Sequence, residues 1–204
     1  MKLGVLFSGG KDSMYSAWLA KKEGEDLACL ITILSENPDS YMFQQVALED
    51  IEKQAKAMQL PIIFEKTKGE KEKELKDLKK IIKKAKEKFK IKGIVTGALA
   101  SNYQKSRIQD ICKELSLECF NPLWQKDQLE LLNELLKNKF KVKIVKVAAE
   151  GFDSSWVGKI IDKKIILELR KLHEKYKINV AGEGGEFETY VLDCPLFKNE
   201  ISAR

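Results

Sequence analysis

The sequence predicts an α/β protein: a parallel five-stranded sheet covered by helices, followed by a smaller C-terminal lobe of α+β character. Three observations lead there. Short apolar runs alternate with segments of helical period as far as residue 120, the pattern of βαβ units with right-handed crossovers. The first and fourth of those runs end in loops of small residues. After Pro122 the order changes, and one strongly alternating stretch leads toward a second glycine-rich loop. The division is therefore placed at residues 1–120 for the sheet domain and 121–204 for the lobe.

Lys2 to Phe7 is the first strand, and Asp12 to Glu23 its helix, with Met14, Ala17, Trp18 and Ala20 in helical period and Gly24 closing it. Leu27 to Leu34 is a second, partly β-branched strand. Asn37-Pro38-Asp39-Ser40 marks a loop. Phe43 to Met58 reads as a helix with Phe43, Val46, Ala47, Ile51, Ala55 and Met58 on one side, and Ile62 to Phe64 as the third strand. Glu70 to Phe89 is a lysine-rich covering helix with Leu75, Leu78, Ile81, Ile82, Ala85 and Phe89 inward. Ile91 to Thr96 is the fourth strand, Tyr103 to Leu115 a helix, and Glu118 to Phe120 the fifth strand.

In the lobe, Asp127 to Lys137 is a helix. Phe140 to Ala149 is a strand with Val142, Ile144, Val145 and Val147 set against Lys141, Lys143 and Lys146. Asp153 to Trp156 and Gly158 form a loop. Asp162 is placed to cap a helix reaching Tyr176, and Thr189 to Leu192 closes the chain as a strand.

Composition narrows the function classes. At 44% hydrophobic residues the chain can bury a core, and no run approaches the ~20 apolar residues of a membrane span. No secretory signal is read at the N-terminus, and the four cysteines form no CxxC pair, so a cytoplasmic protein with reduced thiols is expected. The net charge of +6 comes almost wholly from lysines interleaved with glutamates, the pattern of a solvated helix face rather than of a nucleic-acid surface. Only Arg107, Arg170 and Arg204 are arginine. That makes Arg107, beside a polar motif, a planar fork suited to phosphate or carboxylate.

The chemistry concentrates in three loops. Ser8-Gly9-Gly10-Lys11-Asp12-Ser13 follows a strand and opens a helix. Glycine lets the backbone approach closely, and helix amides with the dipole's positive end favour an anion such as phosphate or pyrophosphate. Walker A spacing is excluded, because Gly10 stands where that motif needs lysine after Gly4 and Gly9. Lys11 would offset charge on the phosphate chain. Asp12 would orient Mg²⁺, cap the helix, or both. The second loop runs from Gly97 to Gln104. Gly97 and Ala98 would either leave room for nucleotide or serve close helix–sheet packing. If strands one and four are neighbours, both loops face one crevice at the point where the sheet's winding reverses. The third loop is Gly182-Glu183-Gly184-Gly185-Glu186-Phe187-Glu188. Its carboxylates suit a cation or a proton acceptor, and Glu183 and Glu186 are the candidates for that role. Tyr103, Trp124 and Trp156 are aromatics that either line this pocket or belong to the core.

Ser8 to Ser13 resembles the SGGxDS loop of the N-type ATP pyrophosphatases. Four stretches together resemble the archaeal-type diphthine–ammonia ligase (diphthamide synthase) family. They are that loop, Asp39-Ser-Tyr-Met-Phe43, Gly97 to Arg107, and Gly182 to Thr189 continuing to Val191-Leu-Asp-Cys-Pro-Leu-Phe197. Ala149-Glu150-Gly151 and Ser155-Trp156 also fit. The resemblance implies an adenine nucleotide α-hydrolase-like (HUP, Rossmann-like) sheet. It implies ATP and Mg²⁺, with Ser8, Gly9, Gly10, Lys11, Asp12, Ser13, Gly97 and Ala98 around the nucleotide. It implies a substrate surface of Ser101, Asn102, Tyr103, Gln104, Arg107, Glu150, Trp156 and Glu188. The reaction implied is amidation of diphthine on elongation factor 2: ATP adenylates the carboxylate, and ammonia from free ammonium displaces AMP. Archaeal relatives often carry a histidine where this chain has Gln44-Gln45. No membrane or nucleic-acid partner is expected, and a homodimer is compatible with the pattern. Two alternatives stay open: another N-type ATP pyrophosphatase modifying tRNA, and a non-enzymatic nucleotide-binding regulator.

Overall fold

The computed structural model describes residues 1–37, 40, 42–43 and 46–201. The expectations placed on Pro38, Asp39, Tyr41, Gln44, Gln45 and Arg204 lie outside the described residues. The sheet strands are β1 (Lys2–Leu6), β2 (Asp26–Ser35), β3 (Ile62–Thr67), β4 (Gly93–Val95) and β5 (Glu118–Phe120). All pair in parallel, in the order β3-β2-β1-β4-β5. The helices between them are α1 (Lys11–Lys22), α2 (Leu48–Met58), α3 (Glu74–Phe89) and α4 (Asn102–Glu114). Alternate residues of each strand feed two cores. Leu3, Val5 and Leu30 face α1 and α2, whereas Cys29, Ile31, Ile33 and Ile94 face α3 and α4.

The lobe contains α5 (Gln128–Lys137), β6 (Lys141–Val147), α6 (Lys163–Tyr176) and β7 (Phe187–Asp193). β6 and β7 form an antiparallel pair. Its inward residues Val142, Ile144, Phe187 and Val191 join the same core as Leu3, Met14 and Ile51, so the apolar interior is continuous across residue 121. Side-chain caps fix the helix starts: Asp127 accepts from the Glu130 amide and Asp162 from the Ile165 amide, each at 2.8 Å. All four cysteines are free. Among the described residues no helix is long and apolar enough to cross a membrane.

Beyond shifted strand bounds, such as β3 running on to Thr67 and β7 starting at Phe187, three elements differ from expectation. α2 begins at Leu48 rather than Phe43, because the Ser40 hydroxyl accepts the amides of Met42 (3.3 Å) and Phe43 (3.0 Å) and holds them in a local turn. α3 begins at Glu74, after a turn in which Glu72 takes a left-handed φ of 65°. In β6, Val145 is exposed although it reads as an inward position. A register shift between Ile144 and Lys146 inserts an extra residue there and turns Val145 outward.

Candidate active site

β1 and β4 are hydrogen-bonded neighbours at the switch in winding direction, so the loops that follow them face each other. Between them lies a crevice of about 510 Å³, closed on a third side by the loop before β7. Ser8, Gly10, Lys11, Asp12 and Ser13 line one wall; Gly97, Ala98, Ser101 and Gln104 line the second; Glu183 and Glu188 line the third.

The β1 loop turns at Gly9, whose φ is 75°. The N-cap of α1 is Gly10, which has no side chain to cap the helix, and its first amide, that of Lys11, is met from β7 by Thr189 Oγ1. A helix N-terminus at a ligand crevice suits an anion. Ser8 and Ser13 brace the turn through their hydroxyls, 3.2 Å apart, and the Ser13 hydroxyl donates to the Gly10 carbonyl at 3.1 Å. Lys11 is only 3% exposed. Its Nζ donates to Asp12 Oδ2 at 2.8 Å and sits 5.9 Å from the Phe187 ring centroid. A buried ammonium needs such a partner. Asp12 lies inside the first turn of α1 and does not cap it. Its Oδ1 is buried without a hydrogen-bond partner. That orphaned hard oxygen fits Mg²⁺, which takes one or two carboxylates and draws its other ligands from phosphate and water.

Gly97 lines the crevice and also serves close packing. A Cβ there would stand 2.8 Å from the Ser13 amide nitrogen and 2.9 Å from the Asp12 carbonyl carbon, so only glycine lets α1 press this closely on the β4 loop. Glu183 bridges the second and third walls, with its Oε1 accepting the Ala100 amide at 3.0 Å. Burial raises its pKa. The Ala100 bond opposes that, the Asp12 carboxylate adds to it, and Lys11 pulls the other way. Glu188 pairs with Lys146 at 2.9 Å.

Other expected site residues stand apart from the crevice. Glu186 does not line it: Oε1 accepts the Asn179 amide and the Asn179 Nδ2, and Oε2 accepts the Gly184 amide, all at 2.8 Å. It holds its own loop in shape. Tyr103 and Arg107 point outward and share Glu72, whose Oε1 accepts from the Tyr103 hydroxyl at 3.0 Å and from Arg107 Nη2 at 2.9 Å. Asn102 and Glu150 are exposed. Trp156 is buried against Phe152, ring centroids 4.9 Å apart. Trp124 lies under the Lys105 ammonium at 3.9 Å.

Comparison with known proteins identifies the family. A family model described as the diphthamide synthase N-terminal domain matches residues 1–119, and one described as the diphthamide synthase C-terminal domain matches residues 127–204. The chain belongs to the diphthamide synthase family. It is 37% identical to the human diphthine–ammonia ligase over 225 aligned residues, covering 98% of this chain and 82% of the human protein. The mouse protein of the same name is 38% identical with the same coverage. The fission-yeast one, from Schizosaccharomyces pombe, is 35% identical over 98% of this chain but only 36% of its own length.

Around the crevice, three polar residues carry geometry that periodicity and loop chemistry do not announce. Gln54 on α2 is fully buried, and its Nε2 donates to the carbonyls of Gly9 (3.0 Å) and Val191 (2.8 Å). Thr189 Oγ1 accepts the Lys11 amide at 3.1 Å, so that amide is already occupied. Glu74 is fully buried and accepts from the Ser40 hydroxyl at 2.6 Å, behind the cavity wall. The signal available for Gln54 and Glu74 was their position. Each is a polar residue on the apolar stripe of an amphipathic helix, beside Ile51 and Ala55 or above Leu78 and Ile81.

Proposed function

We propose that the protein catalyses ATP-dependent amidation of diphthine on elongation factor 2, releasing AMP and pyrophosphate. The observation that carries this reading is the crevice itself. A phosphate-type loop with a buried lysine faces a half-buried carboxylate of raised pKa across one cavity, in a chain of the diphthamide synthase family. The substrate carboxylate attacks the α-phosphorus of ATP. The Pα–O–Pβ bond breaks and pyrophosphate leaves with the bonding electrons. Ammonia then attacks the acyl carbon, and AMP departs with the bridging oxygen. Ammonium gives up one proton before it attacks and a second as the amide forms.

In this reading Ser8, Gly9, Gly10 and Ser13 shape the phosphate cradle, and Lys11 offsets charge that develops on the leaving pyrophosphate. Asp12, with its free Oδ1, would hold Mg²⁺, which when bound neutralises phosphate charge. Gly97 and Ala98 border the nucleoside. Ser101, Gln104 and Glu188 face the acceptor side of the cavity. Glu183 collects ammonium and takes its first proton: its raised pKa makes it a stronger base than an exposed glutamate, and desolvated carboxylates attract a small cation. Asn102, Tyr103, Arg107, Glu150 and Trp156 lie outside the cavity, so any contact they make is with the body of the large protein substrate or through the loops they support.

The test is a product assay with purified protein, diphthine-bearing elongation factor 2, Mg²⁺-ATP and ammonium. AMP and pyrophosphate should form stoichiometrically with amide, and only when both the acceptor and ammonium are present. ADP as the product would overturn the reaction class. Stimulation by tRNA in place of elongation factor 2 would favour the tRNA-modifying alternative.

A further inference from the structure

We propose that Gln54 is a positioning residue for the phosphate loop, and that through Gln54 and Thr189 the C-terminal strand β7 sets the direction of the loop's amides. The geometry is specific. Gln54 sits on the buried face of α2 and reaches two segments far away in sequence. Both protons of its Nε2 are used, one on the Gly9 carbonyl and one on the Val191 carbonyl. The Gly9 carbonyl also accepts the Val191 amide at 3.2 Å. It is therefore pinned from two directions toward α2 and β7.

A trans peptide places its C=O and N–H on opposite sides of the bond, and the described chain has no cis peptide. Pinning the Gly9 carbonyl toward Gln54 therefore turns the Gly10 N–H the other way, and Gly10 lines the crevice. One residue further on, Thr189 Oγ1 holds the Lys11 amide, which fixes the plane of the Gly10–Lys11 peptide. The fit is tight. A Cβ on Gly9 would stand 2.4 Å from Gln54 Oε1 and 2.8 Å from Ile51 Cδ1. Gln54 Oε1 itself is buried without a partner. The side chain thus serves through its two donors, and an apolar residue of equal length would fill the space without leaving that oxygen unpaired. The amide is costly in a core position, and among the described residues its two bonds tie the Gly9 carbonyl of the loop to the Val191 carbonyl of β7.

β7 follows directly on the acidic loop that carries Glu183, so the wall holding the candidate base and the wall holding the phosphates are mechanically one unit. This inference rests on the phosphate-loop reading above, and its test separates the two. The full chain is titrated with inorganic pyrophosphate and with Mg²⁺-ATP, below the melting temperature of each variant as judged by circular dichroism. Gln54→Met keeps the length and removes the donors; Thr189→Val keeps the shape and removes the acceptor, and Thr189→Ser restores it. Pyrophosphate affinity should fall about tenfold in Gln54→Met and in Thr189→Val, less than the cost of deleting a direct donor, and return in Thr189→Ser. If Gln54→Met does not fold, the Thr189 pair carries the test. A merely structural residue lowers the melting temperature and leaves affinity unchanged, so a loss under threefold overturns the inference. Wild-type protein that binds neither ligand overturns the phosphate reading, and this inference with it.

Discussion

The molecule's two glycine-rich loops face the same crevice but are held in opposite ways. The loop at Ser8 to Ser13, braced within by its two serines, takes its main anchors from outside. Gln54 from α2 and Thr189 and Val191 from β7 reach in to bind its backbone. The loop at Gly182 to Glu188 is fixed largely from within, since Glu186 and Asn179 satisfy its amides a few residues away. The first loop presents backbone, one cation and one hard oxygen; the second presents a side-chain carboxylate, Glu183. An anion cradle works through the direction of its amides, which an external scaffold can fix. A proton acceptor works through a tuned pKa, which local burial can supply.

If that division of labour holds, the largest effect comes from removing the cation of the first loop. Lys11→Ala should lower kcat about 10²–10³-fold, the scale of losing one preorganised charge stabiliser. The remaining Asp12 would keep its place in the first turn of α1, so the circular dichroism spectrum should be unchanged. Steady-state pyrophosphate release measures it. Retention of full activity would mean that Lys11 serves only to neutralise Asp12.

The next effect belongs to the second loop and is visible in pH. Glu183→Gln should cost about 10²-fold in turnover, as for removal of a general base. In the wild type, activity should rise with pH through a value above the ordinary glutamate range, because burial holds Glu183 protonated longer. That limb should vanish in the variant. Stability should move the other way. A carboxyl whose folded pKa is raised contributes stability below its unfolded pKa and loses it as pH rises through the folded value. Ionised Glu183 therefore costs stability at neutral pH, and Glu183→Gln should melt higher than wild type there, with the gap closing on acidification. Thermal melts between pH 4 and pH 8 would show whether activity and stability trade at this one side chain.

The contrast also explains what was legible in the sequence. The five strands, their parallel pairing and the crevice at the β1/β4 switch all follow from apolar periodicity and loop chemistry, which are local. The start of α2 was not legible, because it depends on one serine, Ser40, taking two amides out of helical register. Gly97 admits two readings because space and close contact ask for the same residue; the 2.8 Å approach to the Ser13 amide shows the packing role, which no neighbouring residue in the sequence announces. Gln54 stayed silent because its partners Gly9 and Val191 are 45 and 137 residues away. Arg107 was noticed for its chemistry, but the direction in which α4 points it depends on Glu72, which sits in a turn with no periodicity to read. Glu183 and Glu186 are interchangeable by composition, and only their acceptor geometry separates a crevice carboxylate from a loop brace.

That last pair gives the smallest and sharpest test. Glu186→Gln keeps one carbonyl oxygen to accept from Asn179 but places an NH₂ against the Gly184 amide, where Oε2 now accepts. One charge-assisted bond is lost, and a donor meets a donor. The expected cost is about 1–3 kcal/mol of stability, read from chemical denaturation. Turnover should fall only a few-fold, through loosening of the Gly182–Gly185 turn, and its pH profile should keep the wild-type position because Glu183 is untouched. If Glu186→Gln instead removed the pH limb and left stability alone, the proton acceptor would be Glu186 and the two glutamates would exchange roles. The two variants are thus opposite in both readouts: one should lose the pH limb and gain stability, the other should keep the limb and lose stability.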